Sequence, residues 1–333
     1  LQKQLILETK MEYLRWGVLG ASKFALEHLT PAIQLARNNR FIALASSSKQ
    51  RATKFVQLEP DLKLYENYDE LLADERIDAV YIPLPNTMHV DWTKRAIQSG
   101  KHVLCEKPIA MRAEEIDELI KLRDDTGLLV VEAYMIVHHP QWKKAKEIVQ
   151  SGVLGELIQV DSVFSYNNQA DFENIRNNSN MGGGGLPDIG VYTLGSVRYV
   201  TGQEPLTIQH ADIKYENGVD VWALAAFDFP KFKFTSITSM RMAARQEVTF
   251  QGTKGFIKLT SPFNPLVYDK AEIILRMNDG TEKVFNYPGA SHYVNQIEAF
   301  SEAVLKNKVF PCSLEFSQGT QSMIDSIFDF AIR

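Results

Sequence analysis

Residues 14–25 read LRWGVLGASKFA, and this stretch decides the fold. The apolar run Leu14–Leu19 predicts a strand, and helical sequence follows it after a short turn. In that turn the pattern Gly20-x-Ser22-x-x-Ala25 is a variant of the glycine-rich loop that binds dinucleotides. The first glycine permits a tight turn, and the small third residue lets the helix pack closely on the strand. Main-chain amides at the start of such a helix suit a phosphate group.

Apolar runs alternate with amphipathic segments from this turn to about residue 132. The further strands that we expect are Phe41–Ala45, Asp78–Leu84, His102–Cys105 and Leu128–Ala133. Strands that alternate with helices form parallel βαβ units with right-handed crossovers. The sequence therefore predicts an α/β Rossmann-type dinucleotide-binding domain over residues 11–133.

The pattern changes after Pro140. Segments that alternate polar and apolar residues run from Leu206 to Tyr287, separated by turns such as Asn278-Asp279-Gly280. That pattern is typical of an antiparallel sheet built from hairpins. We therefore expect a second, α+β domain over residues 134–333, with an open and mostly antiparallel sheet. Its C-terminal helix is a candidate for packing back on the first domain.

Composition limits the class of protein. The chain has 333 residues, which exceeds the size at which single cores usually divide, and its 45% hydrophobic content is ordinary for a globular protein. The net charge of −5 offers no basic surface for nucleic acid, and no apolar run is long enough to span a bilayer. Two cysteines cannot build a disulfide framework, which favours a cytoplasmic location. Leu1–Lys10 show no signal-peptide pattern, and we expect them to be an extension outside the fold.

The end of the second expected strand predicts which nicotinamide cofactor binds. NAD-specific sites usually place a carboxylate there, on the ribose hydroxyls. This chain instead has the run Ser46-Ser47-Ser48-Lys49-Gln50-Arg51, whose hydroxyls and cations suit the 2′-phosphate of NADP. Ser48 also fits a plain helix cap, and both roles are compatible because they use different atoms. We expect NADP, with NAD as the alternative.

Several further motifs share the pattern of one enzyme family. They are Pro85-Asn86-x-x-His89, the stretch Gly100–Pro108 that ends in Glu106-Lys107-Pro108, and the run GGGGLPDIGVY over residues 182–192. With these motifs the chain resembles the Gfo/Idh/MocA oxidoreductases, the group that includes glucose-fructose oxidoreductase, from about Tyr13 onward. The resemblance implies a nicotinamide-binding Rossmann domain, a carbohydrate-like substrate, and a second domain whose open sheet forms a homodimer or homotetramer interface.

The resemblance also implies roles for individual residues. Lys107 matches the family's catalytic lysine, while Asp188 and Tyr192 match its Asp-x-Gly-x-His/Tyr motif. Tyr166 and Arg176 are expected to join these three in binding substrate, the alternatives being core packing for Tyr166 and a solvated loop position for Arg176. The expected cofactor contacts are Gly20, Ser22, Lys23, Phe24, Ser46, Ser48, Arg51, Pro85, Asn86, His89, Glu106 and Lys107. No metal site is expected, since adjacent histidines point in different directions and lack suitably spaced ligands.

The chemistry of the expected catalytic residues supports these roles. Asp188 and Tyr192 share one face if their segment is helical. An unperturbed tyrosine has a pKa of about 10, and we expect the Lys107 ammonium to lower the pKa of Tyr192. The phenolate would then accept the proton of a substrate hydroxyl while hydride leaves the same carbon.

The function that we expect from the sequence is NADP-dependent oxidation of a sugar or cyclic polyol. One alternative is the NADPH-dependent reduction of a keto-sugar, because the residues do not fix the direction. Another is a non-catalytic sensor that binds a nicotinamide cofactor and regulates a partner. Retention of Lys107, Asp188 and Tyr192 argues against the sensor, since a protein without turnover has no use for them.

Overall fold

Two β-sheets carry the architecture of the protein, whose computed structural model describes residues 12–265 and 267–332. The expectation for Leu1–Lys10 falls outside the described residues. The first sheet has six strands and the second has eight.

The first sheet is parallel throughout. Its strands are β1 (Leu14–Leu19), β2 (Asn39–Ala45), β3 (Lys63–Tyr65), β4 (Ala79–Ile82), β5 (His102–Cys105) and β6 (Val130–Glu132). The helices between them are α1 (Thr30–Leu35), α2 (Lys49–Leu58), α3 (Tyr68–Leu72), α4 (His89–Gln98) and α5 (Glu115–Thr126). The spatial order is β3-β2-β1-β4-β5-β6, which is that of a Rossmann fold and confirms the expected fold class.

Local sequence explains these elements. All four residues of β4 are buried, as expected for a parallel strand with helices on both faces. The Ser48 hydroxyl accepts a hydrogen bond from the Arg51 amide and caps α2, and Gly127 ends α5 in a left-handed conformation. A π-helical turn, Ala25–Leu29, follows the phosphate loop and leads into α1. Sequence analysis missed β3, whose three residues are too few to show a period.

The second sheet is mostly antiparallel, with β7 and β10 as a parallel pair. Its strands are β7 (Leu157–Asn167), β8 (Thr207–Glu216), β9 (Val219–Asp228), β10 (Lys233–Ser239), β11 (Arg241–Gly252), β12 (Gly255–Leu259), β13 (Glu272–Met277) and β14 (Glu282–Asn286). The remaining helices are α6 (Pro140–Gln150), α7 (Val191–Thr201), α8 (His292–Lys306) and α9 (Leu314–Ala331). The order β14-β13-β12-β11-β7-β10-β9-β8 makes this the open sheet that the sequence predicts.

One face of the second sheet builds the core. A row of paired residues, Phe227, Phe234, Val160 and Phe250, crosses four strands and is almost completely buried. Residues that alternate with them point to the opposite face, where Leu224 on β9 and Ile237 on β10 lie side by side and only half-buried.

The last two helices return to the first sheet. Phe300 on α8 packs on Trp16 of β1, with ring centroids 4.8 Å apart. On α9, the Ser317 hydroxyl donates to the Glu132 carboxylate (2.9 Å) and the Gln321 amide donates to the Met111 carbonyl (2.9 Å). The domain boundary expected at residue 133 stays a prediction. Among the helices of the described residues, none combines the length and the apolar character that a bilayer crossing requires.

Candidate active site

A cleft of about 740 Å³ lies between the phosphate loop and the second sheet. The carboxyl ends of β4 and β5 open into it, which is where ligands collect in parallel α/β sheets. Its walls also include residues of β7 and of the loop between β7 and α7. Both sheets therefore contribute side chains to the same space.

Lys107 lines this cleft, two residues after the end of β5. Its ammonium Nζ donates to the main-chain oxygen of Asp188 at 2.5 Å and to the Asp188 carboxylate Oδ1 at 2.9 Å. Both side chains are only 10% exposed, so the ion pair is shielded from water on most sides. The contact fixes the direction in which the lysine points.

The Asp188 carboxylate binds three donors. Besides Lys107 on Oδ1, its Oδ2 accepts from the Tyr166 hydroxyl at 2.7 Å and meets the Arg176 Nε at 2.8 Å. Burial alone would raise the pKa of Asp188, but the Arg176 and Lys107 charges outweigh it and hold that pKa below its usual range. Asp188 therefore stays ionised near neutral pH and serves as an anchor for its neighbours.

Tyr192 lies on the first turn of α7, with its ring centroid 4.9 Å from the Lys107 Nζ. Burial raises the pKa of Tyr192 well above its usual value, and Tyr293, Glu106 and Asp188 add to this. The expectation that Lys107 lowers this pKa is wrong. The ammonium lies over the ring face and is already paired with Asp188, so the charge on the lysine offers the phenolate little stabilisation. Tyr192 is therefore a protonated donor in this site.

The glycine run before Asp188 is explained by close packing. A Cβ atom on Gly183 would lie 2.5 Å from the Arg176 carbonyl oxygen, and one on Gly184 would collide with the Asp220 carboxylate. Gly184, at φ +133°, also donates from its amide to the Arg176 carbonyl at 3.0 Å. The run thus lets Arg176 and the buried Asp220 approach the main chain that leads to Asp188.

His89 supports the main-chain turn that carries Lys107, without lining the cleft. Its Nδ1 and Nε2 lie 2.7 Å and 2.8 Å from the carbonyl oxygens of Pro108 and Leu84. The side chain is completely buried and does not line the cleft. The His89 ring therefore faces main-chain carbonyl groups and not the cleft, and its expected cofactor contact stays a prediction.

Glu132 and Glu106 support the same turn from other sides. The Glu132 carboxylate accepts from the Ile109 amide at 2.8 Å, in addition to its bond with Ser317. The Glu106 carboxylate accepts from the Tyr81 hydroxyl at 2.6 Å, and burial raises the pKa of Glu106. These contacts fix the main chain on both sides of Lys107.

The opposite end of the cleft fits a dinucleotide. Gly20 adopts φ +103°, and a Cβ atom there would lie 2.9 Å from the Leu84 side chain, so only glycine suits this turn. The Ser22 hydroxyl accepts from the Ala25 amide at 3.0 Å, at the start of the helical turn. Lys23 and Arg51 line the same end and supply the positive charge that phosphate groups need.

The structure brings together most of the expected site residues. Those that line the cleft are Ser22, Lys23, Phe24, Arg51, Asn86, Glu106, Lys107, Tyr166, Arg176, Asp188 and Tyr192. Those that do not are Gly20, Ser46, Ser48, Pro85 and His89. The Asn86 amide donates to the Gly182 carbonyl at 2.8 Å and so ties the first domain's loop to the glycine run.

Sequence analysis missed some lining residues, of which Tyr293 is the most notable. It lies on α8, stacks on His28 at 5.2 Å and meets Phe24 edge-on at 5.7 Å, and thus extends the phosphate loop side of the cleft. Glu173, Gln246 and Asn264 also line the walls. These residues belong to no local motif, so only their spatial neighbours reveal them.

Comparison with known proteins agrees with this geometry. Residues 14–134 match the model of an oxidoreductase family with an NAD-binding Rossmann fold, GFO_IDH_MocA. Residues 142–258 match the GFO/IDH/MocA C-terminal domain.

Individual relatives cover nearly the whole chain. An uncharacterized oxidoreductase of Rhizobium meliloti is 37% identical over 95% of this chain and 96% of its own. The D-xylose 1-dehydrogenase (NADP(+)) 2 of Haloferax volcanii is 29% identical over 96% of this chain and 97% of its own. The crystal structure of a 3-ketoreductase of Actinomadura kijaniata, in complex with NADP and TDP-benzene, is 28% identical, covers 96% of this chain and 98% of its own, and has a TM-score of 0.87. This chain therefore belongs to the Gfo/Idh/MocA family of oxidoreductases.

Proposed function

We propose that the protein is an NADP(H)-dependent oxidoreductase that acts on a sugar or cyclic polyol. The observation that carries this proposal is the convergence of Lys107, Asp188 and Tyr192 in one cleft with the phosphate loop. The NADP-linked xylose dehydrogenase and the ketoreductase solved with NADP support the choice of cofactor and substrate class. When bound, the nicotinamide supplies or accepts the hydride at the reacting carbon.

The residues of the chain act on the oxygen of that carbon. Lys107, held by Asp188, donates a hydrogen bond to the oxygen and stabilises the negative charge that develops on it. The Tyr192 hydroxyl exchanges the proton with the same oxygen. Arg176 and Tyr166 keep Asp188 ionised and oriented, so that the ammonium stays in place through the reaction.

Reduction of a keto-sugar is the second candidate, and the state of Tyr192 favours it. Because the phenol is held protonated, it is ready to donate its proton to a carbonyl oxygen. The carbonyl carbon then gains the hydride, the oxygen gains the phenolic proton, and an alcohol and the oxidised cofactor leave. The phenolate recovers a proton from solvent.

The direct test measures NADP⁺ reduction over a panel of aldoses and polyols, and NADPH oxidation over the matching keto-sugars. On the best substrate, Lys107→Ala should lower turnover by about a hundredfold or more, which is the scale of lost electrostatic and acid–base help. Its Kd for NADPH should change little, because the phosphate contacts lie at the other end of the cleft. Lys121→Ala, on the exposed face of α5, is the matched control.

A regulator without turnover would give a different result. The wild type would then bind NADPH and convert no member of either panel, and Lys107→Ala would leave every readout unchanged. Near-normal turnover of Lys107→Ala would also contradict the proposed role of this lysine.

We propose a preference for NADP over NAD, on the hydroxyls and cations that follow β2. We propose a homodimer or homotetramer through the half-buried face of the second sheet, and a division into domains at residue 133. A cytoplasmic location is supported by two buried, unpaired thiols, Cys105 and Cys312.

A further inference from the structure

The part of the cleft around Lys107 and the loop between β7 and α7, here called the substrate half, carries balanced charge. Within the described residues its charged lining consists of the cations Lys107 and Arg176 and the anions Asp188 and Glu173, with Glu106 at its base. The charges cancel if Glu106 is neutral, and the total is negative if Glu106 is ionised. In neither state does the substrate half attract an anion.

Both cations of the substrate half are already bound. Lys107 and Arg176 lie 2.9 Å and 2.8 Å from the two oxygens of the Asp188 carboxylate. A phosphate group that drew either cation out of this pair would leave a buried carboxylate with fewer partners. Removing a partner from a buried ion pair is strongly unfavourable.

Other cations near the cleft point elsewhere. Arg241 is held by Glu216 at 2.7 Å and by the side-chain oxygens of Asn168 and Asn177. Arg245 alternates with the buried Gln246 along β11, so it projects from the opposite face of the sheet, towards Glu247. Positive charge that is free for phosphate thus lies at the cofactor end.

The helix start next to the substrate half is also occupied. A helix N-terminus offers main-chain amides to a phosphate. Here the Leu186 amide donates to the Asp220 carboxylate at 2.6 Å, and that carboxylate is almost fully buried. The Leu186 amide is therefore not available to a phosphate group.

We propose that the substrate is an electrically neutral sugar or polyol that carries no phosphate or nucleoside diphosphate group. The aromatic rings of Tyr166 and Tyr268 and the amides of Asn174 and Asn264 line the walls, which suits C–H faces and hydroxyls. This inference rests on the proposed function. It chooses between the substrate classes of two kinds of relative. One relative is named for a free pentose, and the other was solved with a nucleotide-like ligand.

The experiment compares three forms of one sugar with purified enzyme: the free sugar, its phosphate monoester and its nucleoside diphosphate derivative. We expect kcat/KM for the free sugar to exceed that for either charged form by about a hundredfold, a typical discrimination by unmatched site groups. A charged form turned over as well as the free sugar overturns the inference.

A variant of altered charge tests whether the charge of the substrate half causes this discrimination. Glu173→Lys places a cation at the exposed mouth of the cleft, so it should raise kcat/KM for the phosphate monoester by about tenfold relative to the free sugar. Asp61→Lys makes the same change of net charge on an exposed residue before β3 and should leave the ratio unchanged. Equal responses of the two variants would mean that only the overall charge matters, and would overturn the proposal.

Calorimetry separates this inference from the proposed function. With NADP⁺ at saturation, pyrophosphate or thymidine diphosphate should not bind at millimolar concentration. Binding in the micromolar range would overturn the inference even if no sugar were converted. Absence of turnover on every free and charged sugar would instead contradict the proposed function, and the calorimetry would still decide the charge of the ligand.

Discussion

At the scale of single residues, Tyr192 shows that a nearby lysine need not lower the pKa of a tyrosine. Lys107 and Tyr192 both belong to the motifs that the sequence shares with the family. In the structure, however, the Lys107 ammonium lies over the tyrosine ring and is paired with the Asp188 carboxylate. Burial raises the pKa of the Tyr192 phenol, which therefore stays protonated.

We predict that Tyr192→Phe lowers the rate of keto-sugar reduction by about a hundredfold, because it removes the proton donor and keeps the ring. With the pKa of Tyr192 raised, the phenol stays protonated across the neutral range, so the wild-type kcat should show no inflection from Tyr192 between about pH 6 and 9. Stopped-flow measurement of NADPH oxidation over that range checks both statements. An ionisation near pH 7 that disappears in Tyr192→Phe would contradict them.

Asp220 gives a prediction about stability. Burial raises the pKa of Asp220 to about 7, from an ordinary value of 3.8. Since the folded-state pKa is the higher one, the carboxyl favours folding in its protonated form. That contribution is present below about pH 4 and is lost as the pH rises through 7.

Asp220→Asn stays uncharged and keeps an oxygen for the Leu186 amide. We therefore expect the Tm of this variant to gain on the wild type between pH 5 and pH 8, corresponding to about 1–3 kcal/mol at the upper end. Thermal unfolding at a series of pH values measures the gain, with the exposed Asp61→Asn as control. A constant difference in Tm across this range would refute the assignment.

Residue roles could be predicted from the sequence only where a motif is local. Lys107, Asp188 and Tyr192 belong to recognisable patterns, and the structure brings them together. Asp220 and Tyr293 lie on elements far along the chain, and their position at the site follows from the packing of whole sheets and helices. His89 belongs to a motif, but its burial and its contacts with two carbonyl groups depend on folds of the main chain that no pattern encodes.

At the scale of elements, the junction of β2 and α2 carries the cofactor prediction. Ser48 caps α2, and aspartate caps helices equally well, so Ser48→Asp should leave the helix intact. The added carboxylate would repel a 2′-phosphate and accept hydrogen bonds from the ribose of NAD. We predict that the ratio of Kd values shifts towards NAD by about tenfold or more.

Fluorescence titration with NADPH and NADH measures this shift. Ser48→Ala is the control, since it removes the cap without adding charge. If the wild type already bound NADH more tightly than NADPH, the cofactor assignment would be wrong.

The elements themselves differ in how well a sequence predicts them. The strands β1 and β5 match their expected bounds, because apolar runs mark them clearly. The segment Leu186–Gly190, which contains Asp188, is a π-helical turn and not the start of an ordinary α-helix. The geometry of this turn depends on the glycine run before it and on Asp220 of β9. The helical periodicity of the sequence therefore could not distinguish a π-helical turn from an α-helix.

At the scale of the whole molecule, the half-buried row on the second sheet predicts assembly. Leu224 and Ile237 are half-buried and are paired across β9 and β10 on the face away from the core, and Val163 of β7, which pairs with Ile237, is buried. An apolar face of this kind marks an interaction surface. We predict that the wild type sediments as a dimer or tetramer, and that Ile237→Lys shifts it towards monomer.

Leu35→Lys is the control for this prediction. Leu35 is 73% exposed at the end of α1 and belongs to the first domain, so its replacement should leave the sedimentation unchanged. A wild type that is monomeric at high micromolar concentration would contradict the proposed interface.

The division into a Rossmann sheet and an open sheet could be predicted from the pattern of apolar and polar residues along the chain. The packing of α8 and α9 on the first sheet could not be predicted. The sequence of an amphipathic helix indicates which of its faces is buried, but it does not indicate which surface covers that face. Contacts such as that of Phe300 with Trp16 depend on the final arrangement of both halves.

This packing has a consequence for how the chain is made. Glu132 and Ser317, which meet beside the turn of Lys107, are 185 residues apart. At a synthesis rate of about 5–20 residues per second, roughly 10–40 s pass between the appearance of the two partners on the ribosome. The turn that carries Lys107 therefore gains the support of Ser317 only after α9 has been made, and the phosphate-loop side of the cleft likewise waits for Tyr293 on α8.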